Sequence, residues 1–163
     1  MEPIMTYRIR GLDPARFLPL FDLDEVELKR AETVRVTADA DRGFPCRVSL
    51  EDARAGDTLV LTNYVSHDVA TPYRTAYAIY VREGVAPADY VDQLPPVFAG
   101  RPLSLRGFGA DGMLKEARLA AADAAEPAIL DLLANDEVAY IDAHNAAHGC
   151  FAARIERYDS ALV

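Results

Sequence analysis

Apolar and polar residues alternate along much of the chain, at the period of strands half-buried in a sheet. Residues 6–10 read as a short strand closed by Gly11. Residues 14–21 form a helical turn with Phe17, Leu18 and Phe21 on one face. Asp22 followed by Glu25 has capping-box spacing and predicts a short helix through Lys29. Residues 33–37 are rich in β-branched side chains, which favour a pleated surface. Pro45 withholds a backbone donor, so residues 44–48 read as a strand start or edge, and Ser49 then caps a helix over 50–54 ended by Gly56. Residues 58–64 are apolar on both faces and predict a central strand. Residues 64–72, with His67 and Asp68, read as a loop, and residues 73–83 as the longest strand.

The prolines in 84–100 indicate a loop with one helical turn near 88–94. Residues 102–108 and 113–119 form a strand pair across the turn Gly109-Ala-Asp-Gly112. Residues 120–125 are helical by propensity, and Pro127 opens a helix through Ala134. Residues 138–158 form a closing hairpin. With a five-residue loop, 145–149, and a positive φ at Gly149, His144 lies opposite Cys150. Ala139, Ile141, Ala143, Phe151, Ala153 and Ile155 then share an apolar face; Tyr140, Asp142, His144, Cys150, Arg154 and Glu156 share the other. The pattern predicts an α+β fold: a single domain over 1–163 with a mostly antiparallel sheet of about seven strands and a few short helices.

Composition narrows the function classes. The chain has 163 residues and a net charge of −9, so it repels phosphate backbones and nucleic acid is not expected as a partner. No apolar run approaches the roughly 18 residues of a membrane span. The opening Met1-Glu-Pro-Ile-Met-Thr6 lacks a basic and an apolar targeting region, so a cytoplasmic location with both cysteines reduced is expected.

Three arrangements of residues carry candidate chemistry. The first is an anion site. Arg47, Arg74, Arg82 and Arg154 lie within strand segments, with alanines flanking Arg74 and Arg154, and guanidinium forks suit carboxylate or phosphate. The competing reading is internal ion pairing with Asp57, Glu83, Asp142 and Glu156. The second is a thiol centre of Cys150 and His144, with Cys46 beside Arg47. The third is self-association through a strand edge, as a homodimer. His144-x3-His148-x-Cys150 matches no standard zinc spacing, and no metal or cofactor is assigned. The expectation is binding of a small anionic ligand by Arg47, Arg74 and Arg154, with His144, Asn145 and His67 contributing. A thiol-dependent enzyme or a self-association module is the alternative.

Tyr7-Arg-Ile-Arg-Gly-Leu12, Gly43-Phe-Pro-Cys-Arg-Val-Ser-Leu-Glu-Asp-Ala53, Gly56-Asp57, Thr71-Pro-Tyr-Arg74, Ala78-Ile-Tyr-Val-Arg-Glu83 and His144-Asn-Ala-Ala-His-Gly-Cys-Phe-Ala-Ala-Arg154 together resemble one bacterial family, domain of unknown function 1203. The resemblance implies a single-domain bacterial protein and attaches no activity. The chain departs from it at Tyr77, where the resemblance leads one to expect histidine.

Overall fold

A computed structural model of the chain describes residues 6–159. Residues 1–5, on which the expectation of no targeting segment rests, lie outside the described residues. The strands are β1 (Thr6–Arg10), β2 (Thr33–Thr37), β3 (Thr58–His67), β4 (Thr75–Arg82), β5 (Asp89–Val91), β6 (Leu103–Phe108), β7 (Leu114–Ala120), β8 (Tyr140–Asn145) and β9 (Phe151–Tyr158). Two α-helices join them, α1 (Glu25–Arg30) and α2 (Ala125–Leu133), with short 3-10 turns at Pro14–Arg16, Leu18–Asp22 and Pro96–Phe98. The fold is α+β and its sheets are antiparallel, with nine strands among the described residues where about seven were expected.

The strands divide into two sheets. Six form the order β5-β1-β9-β8-β6-β7, and three form β2-β3-β4. The main core lies between the larger sheet and α2. Ile9, Leu103, Leu105, Ile141, Ala153 and Ile155 meet Ile129, Leu132 and Leu133 there, all at most 2% exposed. A second cluster, with Phe17, Cys46, Val48, Val60, Ile79, Val81 and Phe151, lies where the two sheets meet.

Several local expectations change. The capping box is Asp24 with Glu27: the Asp24 carboxylate accepts from the Glu27 amide at 2.8 Å, and Glu27 accepts from the Asp24 amide at 3.3 Å. The helix expected after Ser49 is absent. Leu50 is fully buried with φ of +53°, outside the helical region, and the chain turns back so that Pro45 pairs with Asp52 and Cys46 with Tyr80. The helical turn expected near 88–94 is strand β5, paired with β1. Residues 121–124 turn before α2 rather than extending it. β3 continues through His67, so that histidine lies in a strand and not in a loop, and β3 rather than β4 is the longest strand.

Gly11 joins the two parts of the fold. Its amide donates to Ala88 O at 2.9 Å, and a Cβ placed on it would lie 1.7 Å from Val48 O. Only a residue without a side chain allows β1 to approach the 45–52 turn this closely. No helix among the described residues is long and apolar enough to cross a membrane.

Candidate functional site

The β8–β9 hairpin organises the site, and its register differs from the expected one. Ile141 pairs with Ile155, Asp142 with Arg154 and Ala143 with Ala153, but His144 pairs with Phe151. Ala152 is an extra residue, a β-bulge that reverses the facing of the strand on either side of it. Phe151 therefore leaves the Ile141 face and joins the cluster between the sheets. Cys150 faces Asn145, whose amide donates to Cys150 O at 2.9 Å, so the expected opposition of His144 and Cys150 is not formed. Gly149 has the expected positive φ, +78°.

In this register the residues of the thiol reading have separate hydrogen-bond partners. The His144 ring meets Gly149 O through Nδ1 at 2.9 Å, and burial pushes its pKa below the usual histidine value. Cys150 Sγ accepts from Arg47 Nη2 at 3.0 Å and from Asn145 Nδ2 at 3.4 Å. Cys46 Sγ instead accepts the backbone amides of Val48, Ser49 and Arg82 at 3.3–3.5 Å and is fully buried.

Arg47 is 2% exposed. Its other donors go to Phe151 O at 2.8 Å and Pro45 O at 2.5 Å. Burial lowers its pKa, opposed by the neighbouring Cys150 sulfur. Arg47 thus ties the 45–52 turn to the start of β9, and its donors point into the protein rather than toward a ligand.

Arg154 is placed differently. Its Nε and Nη2 donate to the two oxygens of Asp142 at 2.7 and 3.1 Å, and Nη2 also reaches Ser66 O at 3.2 Å. Its guanidinium lies 4.4 Å from the centroid of the Tyr140 ring. Burial would lower its pKa, but the bonds to fully buried Asp142 outweigh that and raise it. The Nη1 group has no partner among the described residues. Arg154 borders a cleft of about 560 Å³ between the sheets, a volume suited to a small molecule.

Arg16, Thr62, Asn63, Tyr64, Ser66, His67 and Tyr140 also line this cleft. Arg16 lies over the Tyr64 ring at 5.0 Å and reaches its hydroxyl at 3.3 Å. On the other side of Tyr64, Ser66 and Arg154 lies a second cleft of about 440 Å³, with Arg10, Leu12 and Phe151 in its walls.

His67 and Tyr140 form a fixed pair in the first cleft. His67 is 1% exposed and stacks on Phe108 at 3.9 Å. Its Nδ1 meets Tyr73 O at 2.9 Å and its Nε2 meets the Tyr140 hydroxyl at 2.6 Å. A carbonyl only accepts, so in the neutral ring Nδ1 carries the hydrogen and Nε2 accepts from the phenol. Burial raises the Tyr140 pKa, which keeps the phenol protonated.

Of the residues expected to bind a ligand, Arg154 and His67 share this cleft. Arg74 is exposed and paired with Asp68 at 2.7 Å, and Arg47 and Asn145 are enclosed around Cys150. The competing expectation of internal pairing holds for Arg82 with Asp57, at 3.2 Å, and for Arg154 with Asp142. Tyr77, the departure from the family pattern, is 55% exposed and pairs across the strands with Tyr64. Sequence reasoning missed Arg16, Tyr64, Ser66 and Tyr140 as site residues. Arg16 ends the 3-10 turn Pro14–Arg16, which carries no strand signal, and it meets β3 only at Tyr64, distant in the sequence.

No curated protein and no solved structure matches the chain. One family model does, over residues 43–157, a stretch that includes β3, β8 and most of β9 and so most of the cleft's walls. Since that match covers most of the chain, the protein belongs to the family described as "Protein of unknown function (DUF1203)".

Proposed function

We propose that the protein binds a small anion, a carboxylate or phosphate, in the larger cleft between its two sheets. The observation that carries this reading is the pair of guanidinium groups on the walls. Arg154 is held rigid by Asp142 with Nη1 left over, and Arg16 has no carboxylate within ion-pair distance among the described residues. Asp68, the one carboxylate among the lining residues, is itself paired with Arg74 at 2.7 Å. A planar fork with its orientation already fixed loses little freedom when it closes on a carboxylate.

The test is a thermal-shift series with small carboxylates and inorganic phosphate. Binding to the folded state raises the melting temperature with ligand concentration. Arg16→Gln, at an exposed position, should keep the fold and remove most of the shift. A series in which no carboxylate and no phosphate moves the melting temperature overturns the proposal.

A further inference from the structure

We propose that the cleft selects carboxylates bearing a hydroxyl on the adjacent carbon, and that Tyr140 makes the selection as a hydrogen-bond acceptor. This rests on the anion reading for the charged end of the ligand and adds the group beside it.

His67 Nδ1 is committed to Tyr73 O, so the neutral ring offers only a lone pair at Nε2. The Tyr140 hydroxyl donates its one hydrogen to that lone pair at 2.6 Å. The phenol oxygen therefore has acceptor capacity left and no donor. Stacking on Phe108 and near-complete burial hold the His67 ring in place, so for the neutral ring this polarity is set before any ligand arrives.

Beside that acceptor, Arg154 offers only donors. With Nε and Nη2 on Asp142 and Ser66, Nη1 is left for a ligand in the cleft that Arg154 lines, and the guanidinium stands 4.4 Å from the Tyr140 ring centroid. A ligand matching both groups needs anionic oxygens for Arg154 and, close to them, a donor for Tyr140, since the guanidinium lies 4.4 Å from the centre of that ring. An ammonium would supply the donor but would place a second positive charge against the guanidinium. A hydroxyl supplies it without charge, which points to 2-hydroxycarboxylates.

The experiment is calorimetric titration of the full chain with each enantiomer of lactate, with propionate and with inorganic phosphate. The expected result is that one lactate enantiomer binds about tenfold tighter than propionate, the worth of one hydrogen bond. Tyr140→Phe should bring that lactate down to the affinity of propionate while leaving propionate unchanged. Equal binding of lactate and propionate to the unaltered protein overturns this inference and leaves the anion reading standing. A preference for lactate that persists in folded Tyr140→Phe also overturns it. No binding of any probe, phosphate included, removes the anion reading and this inference together. The comparison in the unaltered protein decides the selectivity even if the variant does not fold.

Discussion

Asp142 and Arg154 face each other across the β8–β9 pair through two parallel hydrogen bonds, 2.7 and 3.1 Å long. The carboxylate is fully buried, whereas the arginine side chain is 37% exposed. The pair is lopsided: its cation has other partners, and its anion depends on the cation. Arg154→Leu should therefore destabilise the protein by about 3–5 kcal/mol, because it leaves a buried charge without its counter-ion. Adding Asp142→Asn should restore part of the loss. Urea denaturation of the two variants, read as midpoints at unchanged slope, checks both statements.

Stability should fall on mild acidification, in part through His144. Burial holds its folded-state pKa below the ordinary value of 6.5. The folded state then resists a proton that the unfolded chain accepts. The contribution is whole above the unfolded value and is lost as pH falls through it toward the depressed folded value. His144→Gln should reduce the decline in melting temperature between about pH 7 and pH 5 relative to the parent. An unchanged decline would assign the effect to other groups.

The two thiols should differ in reactivity. Cys150 is 9% exposed and receives two side-chain donors, one of them a guanidinium. Cys46 is fully enclosed and receives three backbone amides. Iodoacetamide should label Cys150 first in the native protein, with Cys46 reacting only as the chain opens. Peptide mapping over time reads the order directly. Equal labelling of both would remove the remaining basis for a thiol function.

Gly11→Ala should cost about 1–3 kcal/mol, since the added methyl would meet Val48 O and Ala88 N, both backbone atoms. Gly43→Ala meets nothing within 4 Å but carries a φ of +106°, so its cost should come from the backbone alone. Thermal unfolding of the two variants separates a clash from a conformational penalty.

Strand content was legible where alternation was regular, as in Leu103–Phe108 and Leu114–Ala120, which close around a glycine turn as expected. The division into two sheets was not legible, because strand order depends on pairings between residues far apart in sequence, such as β1 with β9. Ser49-x-x-Asp52 imitates a helix start, yet burial of Leu50 in a left-handed conformation overrides it. The candidate site was half visible. Arginines beside alanines pointed to Arg154, but the same rule selected Arg74, which lies in solvent paired with Asp68. Tyr140 was placed on the correct face without its role, which depends on His67, 73 residues away in the chain.

The extra residue at Ala152 bears on how the molecule comes apart. Before it, Phe151 is embedded between the sheets; after it, Ala153 and Ile155 belong to the core under α2. A single short strand is thus mortared into both interiors, and neither interior can be emptied without pulling on the other. Such a seam makes melting one event rather than two, and the walls around Arg154 should keep their spacing until the whole chain gives way.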